Sequence, residues 1–138
     1  MEQDQTVLLT GARRPDEVQI TWAKTEVVRA ISGKTKINPP DGALLKVIEG
    51  KEKGKALPLG ERPQLVLGRS GSDLIINDPK VSKSHCVIEF YDNVSVIKDL
   101  QSTNGTLLNQ FVLAEDFLKP GDRIQIGNTV LEYQAKTQ

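Results

Sequence analysis

The sequence predicts an all-β fold, and three observations lead to this prediction. After a break at residues 39–42, Pro-Pro-Asp-Gly, the chain is a series of short strand-like runs separated by turn residues. Two dipeptides in this series, Asp92-Asn93 and Gly127-Asn128, are typical of two-residue hairpin turns because both tolerate a positive φ angle. Little helical periodicity interrupts the series, so the pattern favours a β-sandwich.

The predicted strands follow one another closely. Val, Ile and Leu dominate them, and Asp, Asn, Gly and Pro lie between them, as expected for strands on half-buried sheets. In chain order the runs are residues 43–49, 55–59, 64–68, 74–76, 87–91, 94–100, 106–109, 123–127 and 129–133. The pattern does not determine the order of these strands in the sheets.

The charge balance argues against a polyanion-binding surface. The 138 residues include 18 basic and 18 acidic side chains, so the formal net charge is zero. The two signs also balance on each side of the break, with six of each in residues 1–42 and twelve of each in residues 43–138. A nucleic-acid partner is therefore not expected, although a local basic pocket is compatible with a neutral domain.

The single cysteine and the N-terminus indicate a reducing compartment. Cys86 lies in an apolar strand pattern, where we expect a small core residue, and it has no second cysteine to pair with. The first residues are polar and no long apolar run follows, so neither a signal peptide nor a membrane span is expected. We expect a cytoplasmic location.

Residues 1–42 form a segment of different character, and residues 43–138 are expected to be the domain. Alternating apolar residues within 18–22 fit a short strand, whereas Val27, Val28 and Ile31 fit one turn of a helix equally well. Such a segment cannot bury a core by itself. We therefore expect a mostly disordered tail, flexible or partly docked, with one transiently docked patch around Trp22.

Polar signatures lie between the strands. They are Gly68-Arg69, Ser72-Asp73, Ser82-Lys83-Ser84-His85 and Thr103-Asn104-Gly105. Arg69 projects from a strand end with planar donors that suit a phosphate, while Ser82 and Lys83 offer a hydroxyl, amides and an ammonium in one turn. Structural alternatives stay open for each: a surface ion pair for Arg69, and a serine turn bonded to its own backbone for Ser82.

The second group of site residues has similar alternatives. Asn104-Gly105 is a strong hairpin dipeptide, yet the amide of Asn104 also carries donors and an acceptor that can hold an extended peptide backbone. Thr103 adds a hydroxyl. Lys80 lies just upstream of the serine loop, where it adds charge or selects a residue of a bound peptide.

His85 is the only histidine, and its surroundings do not suggest catalysis. No cluster of His, Cys or carboxylate residues accompanies it, and no nucleophile–base–orienter arrangement is visible. Nucleotide-binding glycine patterns are absent as well. We therefore expect a buried scaffold role for His85, no metal, no cofactor and no enzymatic activity.

The order and spacing of these motifs resemble the forkhead-associated (FHA) domain, a phosphothreonine-binding β-sandwich. The resemblance covers residues ~43–135 and includes the closing run 118–127, Leu-Lys-Pro-Gly-Asp-Arg-Ile-Gln-Ile-Gly. It implies about eleven strands, with the site in loops at one end. It also implies that Arg69 and Ser82 contact the phosphate, that Lys83 and Thr103 assist, and that Asn104 binds the ligand backbone. His85, with Gly68 and Gly105, would support the site.

This resemblance implies a phosphothreonine-binding module in Ser/Thr protein kinase signalling, whose partners are phosphothreonine proteins and a kinase. The alternative is a phospho-independent regulator that binds and inhibits a metabolic enzyme through the same loops. Neither reading requires a membrane.

The tail suggests a possible self-inhibition. The chain resembles small bacterial FHA regulators that inhibit enzymes of 2-oxoglutarate metabolism until their N-terminal tail is phosphorylated. Thr6 and Thr25 are the candidate phosphoacceptors, because Leu9 and Val28 follow them by three positions. Those tails carry a paired Glu-Thr-Thr that this chain lacks, and a passive linker is the alternative.

Overall fold

The computed structural model describes residues 24–136 as a β-sandwich preceded by one helix, α1, Lys24–Ile31. Eleven strands build it, which confirms the predicted fold class. They are β1 Leu44–Glu49, β2 Ala56–Pro58, β3 Gln64–Gly68, β4 Leu74–Ile75, β5 Cys86–Tyr91, β6 Val94–Asp99, β7 Thr106–Leu108, β8 Phe111–Val112, β9 Glu115–Phe117, β10 Arg123–Ile126 and β11 Thr129–Gln134.

Two sheets face each other across a single main core. The first has the order β2-β1-β11-β10-β7-β8, and the second has the order β4-β3-β5-β6-β9. Strands β3 and β4 are parallel, whereas β5 pairs antiparallel with both β3 and β6. Non-consecutive neighbours such as β1 and β11 explain why strand order could not be deduced from the pattern of runs.

Alternating burial builds this core. In β11 every second side chain from Thr129 to Tyr133 is buried, and the side chains between them are partly exposed. Strand β5 departs from this rule because all six of its residues are buried. A strand is buried on both faces only when something covers its outer side, and the segment that precedes the sandwich contributes to this cover at Glu89 and Tyr91.

Helix α1 packs against the outer face of the second sheet. Val27 is 0% exposed and forms a small cluster with Tyr91 and Val96, against which Ile31 and Phe117 also pack. This part of the predicted tail is therefore ordered, because its apolar side chains complete a second cluster on the sheet. Residues 1–23, including the predicted patch at Trp22, lie outside the described residues.

The connection after α1 continues along the same face. Lys36 forms a β-bridge with Tyr91, and the amide of Ile37 donates to the carbonyl of Phe90 at 2.8 Å. Since residues 24–37 and the strands share contacts, a domain boundary after residue 42 stays a prediction.

A buried carboxylate, Glu89, anchors this face. Its side chain accepts a hydrogen bond from the Tyr91 hydroxyl at 2.9 Å and forms ion pairs with Lys98 at 3.2 Å and Lys36 at 3.9 Å. Burial and the neighbouring Glu89 raise the pKa of Tyr91 to about 12. The network joins the connection at Lys36 to the middle of the second sheet.

Two short strands escaped the sequence pattern. Strands β8 and β9 have two and three residues, and all of their residues are only partly buried. Neither therefore shows the alternation that identifies a strand. Strand β8 is defined by its pairing with β7, and strand β9 by its pairing with β6. Among residues 24–136, no helix combines the length and the apolar character that crossing a membrane requires.

We predict that Val27→Ala lowers the free energy of unfolding by about 1–3 kcal/mol, because it leaves a cavity beneath α1. The adjacent Val28 is 54% exposed, so Val28→Ala is a matched control with an expected change within about 0.5 kcal/mol. Urea unfolding measures both variants. Equal effects of the two substitutions would contradict the docked position of the helix.

Candidate functional site

The loops that carry the polar signatures leave the sandwich at the same end. Strand β3 ends at Gly68, and its residue Leu67 pairs with Cys86 at the start of β5. Cys86 in turn pairs with Asp99 at the end of β6. The β3–β4, β4–β5 and β6–β7 loops therefore emerge side by side, which only the antiparallel register of the second sheet brings about.

Arg69 is held by two hydrogen bonds to the β4–β5 loop. Its amide donates to the carbonyl of Ser82 at 2.9 Å, and its Nε donates to the carbonyl of Val81 at 3.0 Å. Among residues 24–136, no partner is recorded for its Nη1 and Nη2, and the residue is exposed. The bond from Nε thus holds the guanidinium in place, and no described residue forms a hydrogen bond with its outer edge.

Ser82 connects this loop to the β6–β7 loop. The amide of Thr103 donates to Ser82 Oγ at 3.0 Å. The hydroxyl therefore already accepts one hydrogen bond, and its own proton is available for a further acceptor. Arg69, Ser82 and Thr103 consequently lie around one region of the surface. A common site formed by these motifs would require this arrangement.

His85 joins the two loops from below. It is 0% exposed, its Nδ1 accepts the amide proton of Ser82 at 3.0 Å, and its Nε2 lies 2.8 Å from the carbonyl oxygen of Gly105. Because Nδ1 accepts, we assign the proton to Nε2, which then donates to Gly105. Both ring nitrogens are used within the protein, so neither is available for catalysis or for a metal.

Asn104 completes the arrangement. Its Nδ2 donates to the carbonyl of Lys80 at 2.9 Å, which ties it to the β4–β5 loop and leaves its Oδ1 without a recorded partner among the described residues. Lys83 is exposed beside Ser82, and Ser72 Oγ donates to its carbonyl at 2.6 Å. The predicted residues of all three loops therefore lie together at one end of the sandwich.

Gly68 is required by a close approach of two backbone segments. A Cβ atom at this position would lie 1.8 Å from the carbonyl oxygen of Lys83. No side chain fits there, so the glycine lets the serine loop fold down onto the end of β3. Gly105 has a φ of 83°, a conformation that favours glycine at the turn following Asn104.

Two carboxylates that the motif reading missed hold the loops. Asp99 accepts hydrogen bonds from the Ser102 amide at 3.1 Å, the Ser102 hydroxyl at 2.6 Å and the Thr106 hydroxyl at 2.7 Å. An aspartate that follows a strand and precedes a serine by three residues is a local signal for such a turn. It could have been recognised from the sequence.

Asp78 could not have been recognised in the same way. It is 4% exposed and accepts the amide of Lys80 at 2.9 Å, the amide of Asn128 at 2.8 Å and the hydroxyl of Thr129 at 2.8 Å. Two of these donors are some 50 residues away in the chain. Only the tertiary structure brings the β10–β11 turn to this carboxylate.

A small pocket of about 220 Å³ lies between the β4–β5 loop, the β6–β7 loop and the β10–β11 turn. Lys80, Asn104, Gln125 and Asn128 contribute polar groups to its lining, and Leu107 contributes an apolar one. Amides and one ammonium suit a polar or acidic side chain. Among residues 24–136, no group of three or more His, Cys or carboxylate side chains is placed to bind a metal.

Comparison with known proteins identifies the family. The family model described as "Inner membrane component of T3SS, cytoplasmic domain" matches residues 46–136. The chain belongs to this family, and its domain is an FHA domain. An Arabidopsis thaliana FHA domain is 31% identical with a TM-score of 0.65, over 78% of this chain and 95% of that one. From the match to this family we infer the fold alone, and we draw no conclusion about the secretion apparatus named in its description.

A second solved structure, Mycobacterium tuberculosis EmbR in complex with a low affinity phosphopeptide, is 27% identical. Its TM-score is 0.61, and the match covers 84% of this chain and 30% of EmbR. Together with the Arabidopsis domain it confirms the FHA resemblance that the sequence motifs indicated.

Sequence relatives of this FHA domain include proteins named as regulators. It is 33% identical over 92 residues to the oxoglutarate dehydrogenase inhibitor of Corynebacterium diphtheriae, covering 66% of this chain and 64% of the relative. It is 27% identical over 134 residues to the inhibitor of the same name from Corynebacterium efficiens, covering 91% and 94%. The chain thus spans less than two thirds of the first relative's length.

We predict that Asp78 makes the stability of the FHA domain depend on pH. Burial alone would raise the pKa of this carboxyl, but hydrogen bonds from Lys80, Thr129 and Asn128 outweigh it, so the pKa lies below its ordinary value of 3.8. Because this pKa is lower in the folded state than in the unfolded state, the carboxylate stabilises the fold at pH values above the unfolded-state pKa. This contribution disappears as the pH falls through the folded-state pKa.

Chemical denaturation at about pH 6 and about pH 3 measures this effect. Asp78→Asn should be less stable than the wild type at the higher pH, and the difference should shrink as the pH falls from the unfolded-state pKa toward the lower folded-state pKa of the wild-type carboxyl. A difference that stays constant between the two pH values would contradict the assignment.

Proposed function

We propose that this FHA domain binds phosphothreonine-containing segments of partner proteins in Ser/Thr-kinase signalling and that it has no catalytic role. One observation carries the proposal: the outer edge of the Arg69 guanidinium and the hydroxyl proton of Ser82, neither of which is donated to another residue within 24–136, belong to loops joined by direct hydrogen bonds. A ligand with several acceptor oxygens on one centre can use both donors at once.

The charge of the ligand provides the discrimination. A phosphothreonine brings about −1.5 to −2 charges and three strong acceptor oxygens. Each charge-assisted hydrogen bond contributes on the order of 1.5–3 kcal/mol, and Arg69, Ser82 and Lys83 can supply several. We expect micromolar affinity, roughly −8 kcal/mol. Aspartate should be a poor mimic, because it has one charge and a planar carboxylate.

Asn104 and Lys80 extend recognition beyond the phosphate. The Oδ1 of Asn104 is placed to accept an amide proton of an extended peptide, while its Nδ2 stays bonded to the Lys80 carbonyl. The pocket beside them, with its ammonium and amides, would take a polar or acidic side chain that follows the phosphothreonine. The phosphopeptide complex of EmbR supports a ligand of this kind.

We predict that Arg69→Ala lowers the affinity for a phosphothreonine peptide about a hundredfold or more, since at least two charge-assisted hydrogen bonds are lost. Arg69→Lys should recover part of the affinity because it keeps the charge but loses the planar pair of donors. Arg123 is exposed on the first sheet, so Arg123→Ala removes the same charge and should bind like the wild type.

Isothermal titration calorimetry with phosphorylated and unphosphorylated forms of one peptide measures these affinities. Equal binding by wild type and Arg69→Ala would refute the site. Equal binding of the two peptide forms would refute the dependence on phosphate.

We further propose that the N-terminal segment, once phosphorylated, occupies the same site. Thr25 lies exposed on α1, two positions before the fully buried Val27. An extended ligand conformation at Thr25 would therefore require α1 to unfold. The 17 residues between Thr6 and Lys24 span up to about 55 Å when extended, and a 100-residue domain has a radius of gyration of about 13 Å. Thr6 is thus the acceptor that leaves the helix in place.

Kinase treatment followed by mass spectrometry and NMR tests this switch. Phosphorylated wild type should show shifts at Arg69 and Ser82, should bind external phosphopeptide more weakly, and should remain monomeric, because a tethered ligand reaches an effective concentration in the millimolar range. Thr6→Ala should abolish these changes, and Thr25→Ala should preserve them. Phosphorylation without shifts at the loops would contradict the proposal.

A second candidate function is phospho-independent inhibition of a metabolic enzyme through the same loops. The names of the Corynebacterium relatives favour it, one of them matching over 94% of its length. A pull-down with unphosphorylated partner protein separates the two functions. If both wild type and Arg69→Ala retain the unphosphorylated partner, the result favours phospho-independent inhibition. If the partner is retained only when it is phosphorylated and Arg69 is present, the result favours phosphothreonine binding.

A further inference from the structure

The buried carboxylate of Asp78 divides its two oxygens between two elements of the FHA domain. Oδ1 accepts the amide of Lys80, which belongs to the β4–β5 loop. Oδ2 accepts the amide of Asn128 and the hydroxyl of Thr129, which belong to the β10–β11 hairpin. One side chain therefore joins the loop that carries Ser82 to a hairpin of the opposite sheet.

Gly127 allows the carboxylate to come this close. A Cβ atom at residue 127 would lie 2.8 Å from Oδ2 of Asp78. The residue also has a φ of 59°, so the turn itself favours glycine. Both features bring the hairpin against the loop and define the gap between Lys80 and Asn128 that forms the polar pocket of about 220 Å³.

We propose that Asp78 is a positioning residue of the peptide site. It holds the loop with Lys80 and Ser82 at a fixed distance from the β10–β11 hairpin, and it thereby determines the width of the polar pocket beside Asn104. The proposal rests on the proposed phosphopeptide function. Its consequence is that Asp78, which touches no ligand, controls selectivity for the residues that follow the phosphothreonine.

Asp78→Asn weakens the link in either orientation of its amide. With the amide oxygen at the Oδ2 position, Asn128 and Thr129 keep their acceptor but the Lys80 amide faces an NH₂ group. With the oxygen at the Oδ1 position, Lys80 keeps its acceptor, but the Asn128 amide faces the NH₂ group and only the Thr129 hydroxyl, turned to accept, stays bonded. A single carbonyl oxygen cannot serve both elements, although the two side chains have nearly the same shape.

The matched control is Glu89→Gln. It is the same carboxylate-to-amide change at another buried and hydrogen-bonded position, 8% exposed, on the outer face of the second sheet. It lowers stability without touching the loops. Any effect of Asp78→Asn that follows only from lower stability should therefore appear in this control as well.

Amide hydrogen exchange in the full chain without ligand tests the coupling. In Asp78→Asn the amides of Lys80, Asn128 and Ser82 should all exchange at least about tenfold faster than in the wild type, because loop and hairpin open together. In Glu89→Gln their rates should be unchanged. Faster exchange of only one of the two elements would overturn the coupling, even if no phosphopeptide binds to the wild type.

Titration calorimetry tests this selectivity for the residue after the phosphothreonine. It uses two phosphothreonine peptides that differ only at that residue, which is acidic in one and alanine in the other. Asp78→Asn should lose most of the wild-type preference and about tenfold in affinity for the preferred peptide, and Glu89→Gln should retain both. Wild-type preference in Asp78→Asn would overturn the inference and leave the proposed function standing. Absence of binding by the wild type would refute the proposed function instead.

A second measurement covers the case in which Asp78→Asn does not fold. In the wild type, the amide shifts of Lys80 and Asn128, which both donate to this carboxylate, should titrate together with the carboxyl carbon of Asp78 as acid is added, because protonation leaves only one strong acceptor. Independent titration of the loop and hairpin amides would overturn the proposal. The Thr129 hydroxyl and the Lys80 ammonium are the other polar groups that act on this carboxyl.

Discussion

The site of this FHA domain depends on one buried imidazole. His85 accepts the amide proton of Ser82 with one nitrogen and faces the Gly105 carbonyl with the other, so two loops from different strand pairs share a single rigid support. Ser82 is partly exposed and Asn104 is exposed, whereas the ring that joins their loops is fully buried. A loop held in this way loses little conformational entropy when it binds a dianion, and this smaller entropic cost improves the affinity.

Carboxylates reinforce this support from either side. Asp99 shapes the β6–β7 loop locally, whereas Asp78 joins the β4–β5 loop to a hairpin of the other sheet. Negative groups thus organise a site that is expected to bind a negative ligand, but both direct their oxygens inward to amides and hydroxyls. The donors of Arg69 and Ser82 are left at the surface, where we propose that they neutralise the charge of the ligand.

Helix α1 and the connection after it pack directly against the sandwich. Val27 and Ile31 fill an apolar cluster on the outer face of the second sheet, and Lys36 pairs with the buried Glu89 on the same face. This cover contributes to the burial of β5 at Glu89 and Tyr91. If the N-terminal segment binds the site as proposed, a docked helix favours a threonine outside α1 as the acceptor.

The sequence by itself determined the all-β class and most of the strands, because alternation and turn dipeptides are local properties of the chain. It also predicted a site around Arg69, Ser82 and Asn104 from the order and spacing of the motifs. Only the tertiary structure decided the rest. The sheet order, the docking of Val27 and the reach of Asp78 to Asn128 join residues that are far apart in sequence. No local pattern records such contacts, since they arise when two sheets and a helix pack together.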